Sequence, residues 1–164
     1  MVKKQRIKSV LISLFLLLWF SGCGYKFLNK GEEKTVYIKE IKNETFQPKL
    51  QIYLSKQLTD TIINFPFFTL ISSEDMADYV ITIKLYKINR TPLFYAKENS
   101  DEIVNSRLTV NGELFIEKGN SILRKKFTQS VSYSLSKSYE EEKILNEITR
   151  KIAVKIYSIL IENE

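Results

Sequence analysis

Residues 103–133 have the sequence IVNSRLTVNGELFIEKGNSILRKKFTQSVSY, which contains the clearest hairpin pattern in the chain. Ile103–Ile116 and Ile122–Tyr133 each place apolar residues on one side, and Glu117–Asn120 between them consists of turn-forming types. Apolar residues at every second position are typical of a strand with one buried face. The stretch therefore predicts two long antiparallel strands whose apolar side is covered by other elements. The inward residues are predicted to be Val104, Leu108, Val110, Leu114, Ile116, Leu123, Phe127 and Val131.

Three strands and one helix are predicted before the hairpin. The strands are Thr35–Ile41, Phe67–Ser72 and Tyr79–Asn89. The helix begins near Pro48, because proline is tolerated in the first helical turn. It ends before Pro66, because the residue that precedes a proline avoids helical geometry. One apolar stripe at helical spacing indicates the buried side of this helix: Leu50, Tyr53, Leu54, Leu58, Ile62 and Phe65.

The last helix has the strongest boundary signals in the chain. Ser138 as N-cap and Glu141 three residues later form a capping box. Its apolar stripe is Leu145, Ile148, Ile152, Ile156, Ile159 and Leu160. Between the third strand and the hairpin, Arg90–Ser100 contains Pro92 and several polar residues, which predicts a long connection.

These elements predict an α+β two-layer sandwich with the order β-α-β-β-β-β-α. Two helices would pack on one face of a mostly antiparallel or mixed sheet of four to five strands, because each element has a single apolar side to bury. The first strand–helix–strand unit can pair in parallel through a right-handed crossover. The other face of the sheet would then be polar and uncovered, with Lys39, Lys84, Arg107, Thr109, Lys126 and Thr128 as candidates for it.

The N-terminal region has the features of an export signal. A basic start is followed by the apolar run Val10–Phe20 and by small residues up to Cys23, the only cysteine. The run is shorter than the roughly 20 residues that a membrane-spanning helix needs. Phe20-Ser21-Gly22-Cys23 resembles the lipobox of bacterial lipoproteins, which implies lipidation of Cys23; the alternative is an ordinary secretory signal. We therefore predict a lipoprotein signal peptide at residues 1–22, a lipidated N-terminus and tether at 23–34, and one α+β domain at 35–164.

Composition argues against several classes of function. The chain has no histidine, which removes the commonest general base and metal ligand, and it has no glycine-rich phosphate loop. We predict that it is not an enzyme and needs no cofactor or metal, although a hydrolase built on carboxylates stays open. Of the 25 Lys and Arg, four lie in the signal, which leaves 21 against 19 acids and a charge of +2. That small excess does not indicate nucleic-acid binding.

Three short motifs resemble the LptE family of lipopolysaccharide-assembly lipoproteins from the Gram-negative outer membrane. They are Cys23-Gly24-Tyr25-Lys26-Phe27, the strand end Ile41-Lys42-Asn43-Glu44-Thr45, and Ala77-Asp78-Tyr79 at the start of a strand. The resemblance implies a non-enzymatic protein that plugs an LptD-like β-barrel and binds lipopolysaccharide. It also implies attachment to the inner leaflet of the outer membrane, on the periplasmic side, which Gly24 after the cysteine fits.

A lipopolysaccharide site should combine cations with apolar surface, because the ligand presents phosphates and acyl chains. On that ground we predict phosphate contacts from Arg90 and Lys97, which flank Leu93-Phe94-Tyr95, and from Lys137 before the last helix. The alternative is that these three are ordinary solvated charges. An alternative for the whole chain is a lipid-anchored scaffold of another secretion or division complex.

Overall fold

A computed structural model of the protein describes residues 34–95, 103–134 and 141–164. The predicted signal peptide, the tether before Lys34 and the predicted N-cap Ser138 lie outside the described residues. The strands are β1 (Lys34–Asn43), β2 (Phe68–Leu70), β3 (Tyr79–Tyr95), β4 (Ile103–Lys118) and β5 (Ser121–Ser134). The helices are α1 (Lys49–Asn64) and α2 (Glu141–Glu162), and a short 3-10 helix, Glu74–Met76, precedes β3.

The five strands form one mixed sheet in the order β2-β1-β3-β4-β5. β1 pairs in parallel with both β2 and β3, and the β3–β4 and β4–β5 pairs are antiparallel. Both helices pack on the same side of this sheet and against each other. The predicted α+β sandwich and its element order are confirmed, including the parallel β1–α1–β2 unit.

The core lies between the helices and one face of the sheet. Its helical half is the predicted pair of stripes, in which Leu54, Leu58, Ile152 and Ile156 are fully buried. The stripe of α1 ends at Phe65, which is 45% exposed instead of buried. The sheet contributes Val36, Ile81, Ile83, Leu85, Leu108, Val110, Leu114, Ile116, Phe127 and Val131.

The hairpin of β4 and β5 forms as predicted, with Lys118 opposite Ser121. Gly119 takes φ 55°, a left-handed conformation that suits glycine at the first position of a two-residue hairpin turn. Farther along β4, Gly112 lies opposite Phe127, whose ring packs over the space that a side chain on Gly112 would fill.

The predicted connection Arg90–Ser100 is wrong over its first part, because β3 continues through Tyr95. Pairing with β1 ends at Leu85, so the later part of β3 hydrogen-bonds to β4 alone. Pro92 is tolerated there because its missing N–H can face the open side of the strand. Residues 96–100 lie outside the described part of the chain.

Two of the family-like motifs form structural joints. The Asp78 carboxylate accepts the Thr35 backbone N–H at 2.8 Å and the Thr35 hydroxyl at 2.9 Å, which fixes the start of β3 beside the start of β1. At the other end of β1, the Asn43 side chain accepts from the Thr45 backbone and donates to the Gln47 carbonyl at 2.8 Å. This turn sets the entry to α1.

We predict that Gly112→Ala destabilises the protein by about 1–3 kcal/mol, the usual cost of overpacking. An added Cβ would collide with the Phe127 ring and lie 2.9 Å from the Lys84 carbonyl oxygen. Without that collision alanine would be favoured in a strand. Chemical denaturation measures the change, and Gly112→Ala should cost less in a Phe127→Leu background than in the natural sequence, because the colliding ring is then absent. Equal or greater stability of the single variant would contradict the packing.

The Asp78 joint predicts a pH-dependent contribution to stability. The hydrogen bonds from Thr35 hold the pKa of the Asp78 carboxyl below its usual value of 3.8. Because the folded-state pKa is lowered, the contribution is present above the unfolded-state pKa and is lost as the pH falls through the folded-state pKa. Asp78→Asn should lower the free energy of unfolding by about 1 kcal/mol at neutral pH. The loss is smaller than for a buried charge-assisted hydrogen bond, because Asp78 is exposed. It should become progressively smaller below pH 3.8. Asp75→Asn is the control, and a cost that does not change with pH would contradict the assignment.

Candidate functional site

The sheet face opposite the helices, here called the open face, is a polar surface that the described helices leave uncovered. Strand pairing places five of the six residues predicted for it on this side, including Lys84 and Lys126, which both lie opposite Glu113. The sixth, Lys39, lies in the irregularity between Ile38 and Glu40 of β1 and has no partner on β3. Cations outnumber acids across it. The cations are Lys42, Lys84, Lys87, Arg107, Arg124 and Lys126, and the acids are Glu40, Glu113 and Glu117.

Near the β4–β5 turn, the cations of the open face are neutralised. The Glu113 side chain is only 9% exposed, and its Oε2 accepts from Arg124 Nη2 at 2.6 Å and Nε at 3.0 Å. The guanidinium of Arg124 also lies over the Phe115 ring, 5.6 Å from its centroid. On β1, Lys39 contacts Glu74 at 2.6 Å, and this hydrogen bond raises the pKa of the Lys39 ammonium. These cations are already occupied by carboxylates.

The other half of the open face has a different character. It is the acid-free patch: Lys87, Asn89 and Thr91 of β3, Arg107, Thr109 and Asn111 of β4, and Thr128, Ser130 and Ser132 of β5. These nine residues lie opposite one another in three rows across the strands. Within residues 34–95, 103–134 and 141–164, neither Lys87 nor Arg107 forms an ion pair with a carboxylate. The patch therefore presents two available cations among hydroxyl and amide groups.

Sequence reasoning included Arg107 in the open face but missed Lys87, Asn89 and Thr91. Strict alternation after Lys84 assigns Tyr86 to this face and Lys87 to the core. The register between β3 and β4 instead shifts between Leu85 and Lys87, so the residues after the shift exchange faces. The sequence carries one signal of this shift. The buried residues Leu85 and Ile88 are three positions apart, whereas residues on one face of a regular strand are separated by an even number of positions.

Arg90 lies on the helix-facing side of the sheet. It is opposite Leu108 in the register, and its Nη2 donates to Glu141 Oε1 at 2.7 Å. The same oxygen accepts from Gln47 Nε2 at 2.8 Å, so Glu141 connects β3, α2 and the entry to α1. The structure thus gives Arg90 a carboxylate partner within the protein. Cys23, Lys97 and Lys137, the other predicted site residues, lie outside the described residues.

The described residues show two further features that bear on function. Among them, no group of His, Cys, Asp and Glu is arranged to hold a metal ion. Neither α1 nor α2 is long and apolar enough to cross a membrane.

The comparison with solved structures identifies the fold. The chain superposes on rare lipoprotein B from Shewanella oneidensis with a TM-score of 0.52 at 12% identity, covering 77% of this chain and 95% of that one. It has the rare lipoprotein B fold. A minor lipoprotein from Acinetobacter baumannii gives 0.51 at 14% identity, with 80% and 94% covered. A hypothetical protein from Chlamydia trachomatis gives 0.55 at 9% identity, with 78% and 95% covered.

The neighbours therefore include lipoproteins of Gram-negative bacteria with the rare lipoprotein B (LptE) fold. At 9–14% identity this likeness concerns the fold alone. No family model matches the sequence, and no curated protein matches it.

The position of Arg90 yields a test of its structural role. Arg90→Glu would place two carboxylates at the first turn of α2 and should lower the free energy of unfolding by about 1 kcal/mol, the upper range for a half-exposed pair. In Arg90→Glu/Glu141→Gln the repulsion is removed, so the double variant should lose less than the sum of the two single changes. Strictly additive losses in chemical denaturation would show that the pair contributes nothing.

Proposed function

We propose that this protein is an outer-membrane lipoprotein that acts with an LptD-like β-barrel in lipopolysaccharide transport and insertion into the outer leaflet. In this role it is the plug and assembly factor of the barrel and a binder of lipopolysaccharide. The work is non-enzymatic and needs no cofactor. The observation that carries the proposal is the acid-free patch on a sheet face that no described helix covers.

The patch suits the head group of a phosphorylated glycolipid. Lys87 and Arg107 can donate charge-assisted hydrogen bonds to phosphates, and no carboxylate within the patch competes for them. Thr109, Asn111 and Thr128 lie beside them with hydroxyl and amide groups that bind sugar hydroxyls. Lys97 and Lys137 stay proposed as further phosphate contacts. Arg90 is a weaker candidate, because its guanidinium already pairs with Glu141.

The rest of the open face suits the inside of an outer-membrane barrel. The lumen of such barrels is polar and wet, and the paired charges around Glu113 can face water or polar lumen side chains without uncompensated charge. A tether on a lipidated Cys23 would keep the domain near any barrel in the same membrane, which raises their effective concentration. The shared fold with Gram-negative lipoproteins supports the envelope setting.

The test is capture of the chain through a C-terminal tag from mildly solubilised outer membranes. We expect a barrel protein to be recovered in stoichiometric amount, together with lipopolysaccharide measured by its phosphate and acyl-chain content. The tagged chain should itself carry lipid on Cys23, detected by mass. Recovery of a free monomer, with normal surface lipopolysaccharide after depletion of the protein, would contradict the proposal and favour a scaffold of another envelope complex.

Charge reversal within the same experiment locates the ligand. Lys87→Glu/Arg107→Glu should retain the barrel but reduce the recovered lipopolysaccharide about tenfold or more, since a charge-assisted hydrogen bond contributes roughly 1.5–3 kcal/mol before solvent exposure is discounted. The matched control is Lys56→Glu/Lys125→Glu, which reverses the same number of charges at exposed positions outside the open face. An equal effect of both double variants would show that net charge alone matters.

A further inference from the structure

The end of the domain where β1 begins carries an exposed apolar surface that the function proposed above does not use. The loop from α1 to β2 has the sequence Asn64-Phe65-Pro66-Phe67-Phe68. Phe65 is 45% exposed, Phe67 is 38% exposed, and Pro66 between them is exposed. Ile63, at the end of α1, is 68% exposed, and Ile161 of α2 is 39% exposed. We call Ile63, Phe65, Pro66, Phe67 and Ile161 the apolar rim.

The apolar rim is held in place by aromatic contacts beneath it. The Phe65 ring lies 5.0 Å from the Tyr157 ring, and the Tyr157 hydroxyl accepts the Phe67 backbone N–H at 3.3 Å. Phe68, the next residue, is 3% exposed and packs edge-on against both Tyr157 and Tyr79. Ile161 follows Tyr157 by one helical turn. The loop is therefore anchored by Phe68 and projects Phe65 and Phe67 outward.

The position of the apolar rim beside the start of β1 indicates the membrane as its binding partner. Lys34, the first residue of β1, pairs with Phe68 in the parallel β1–β2 ladder, so the chain that leads back to Cys23 enters the domain beside the rim. Lys34 follows Cys23 by eleven positions, a reach of at most about 40 Å when fully extended. A lipid on Cys23 would thus attach the domain to the membrane at this end.

We propose that the apolar rim inserts shallowly into the surface of a phospholipid bilayer and orients the domain on it. This inference rests on the proposed lipid anchor. Aromatic and aliphatic side chains placed together at one edge gain free energy at the boundary between head groups and acyl chains. At the same end, Lys118 Nζ donates to the Glu164 backbone carbonyl at 3.3 Å and lies over the Tyr79 ring. The charged side chains of Glu162 and Glu164 favour water, so the insertion is shallow.

The opposite end of the domain offers an exposed phenylalanine that does not form such a surface. Phe46 is 78% exposed and lies between the polar residues Thr45 and Gln47. Scattered exposed apolar residues are normal on protein surfaces. Phe46 is therefore a matched control for the rim.

The test uses the full chain with Trp19→Phe, so that one introduced tryptophan is the only one. Phe65→Trp, Phe67→Trp and the control Phe46→Trp are each reconstituted with vesicles of phosphatidylethanolamine and phosphatidylglycerol that contain an acyl-brominated lipid. We expect about twofold or stronger quenching and a blue-shifted emission for the two rim variants only, since inserted groups lie ~5–10 Å into the head-group boundary. Equal quenching at rim and control positions would overturn the proposal.

Repeating the measurement with Cys23→Ser in residues 23–164, without the predicted signal peptide, separates the rim from the anchor. If the rim binds lipid, the rim variants are still quenched preferentially at high vesicle concentration even though the covalent lipid is absent. If Cys23→Ser no longer floats with the vesicles in a density gradient but its rim tryptophans are still quenched, the results support both the lipid anchor and the insertion of the rim. No difference in flotation between the Cys23 and Cys23→Ser chains would contradict the anchor alone. Emission from Phe67→Trp that shifts only on addition of a protein partner would instead assign the rim to a protein interface.

Discussion

The burial of one sheet face under two helices is the constraint on which the rest of the structure depends. α1 and α2 lie parallel, with Gln47 near Glu141 at their beginnings and Phe65 near Tyr157 at their ends. Their stripes are fully buried at Leu54 and Ile152, and each such side chain contributes about 1.5–3 kcal/mol. Neither helix has a second apolar stripe, so one face of the sheet is closed and the opposite face stays available for polar ligands.

The register shift in β3 gives the two ends of the sheet different side chains on the open face. Up to Leu85, β3 is paired on both sides, and the open face carries ion pairs around Glu113. After the shift, β3 is paired with β4 only, and alternate residues have exchanged faces. The exchange turns Arg90 toward Glu141 and brings Lys87 into line with Arg107 on the open face. Because of this one extra residue, Arg90 forms an ion pair within the protein, whereas Lys87 stays available on the open face.

The joints at the two ends of β1 explain why short motifs in this chain are informative. The carboxylate of Asp78 fixes the beginning of β3 on Thr35, and the amide of Asn43 shapes the turn into α1. Both act through backbone groups, so the residue type is specified by local geometry and not by a ligand. They maintain the fold, including the anchored loop beside β1, whereas the acid-free patch offers groups that the fold itself does not use.

The sequence by itself determined the element order, the two helical stripes and the hairpin, because period and turn chemistry are local properties. It also predicted which side of the sheet would be polar, since Lys84, Arg107 and Lys126 alternate with buried residues. Only the tertiary structure decided where β3 ends, which face Lys87 and Arg90 occupy, and that Phe65 and Phe67 are exposed together. These features depend on a shift in pairing with β4 and on aromatic contacts between α2 and a distant loop. Such contacts join residues far apart in the chain, and no local periodicity encodes them.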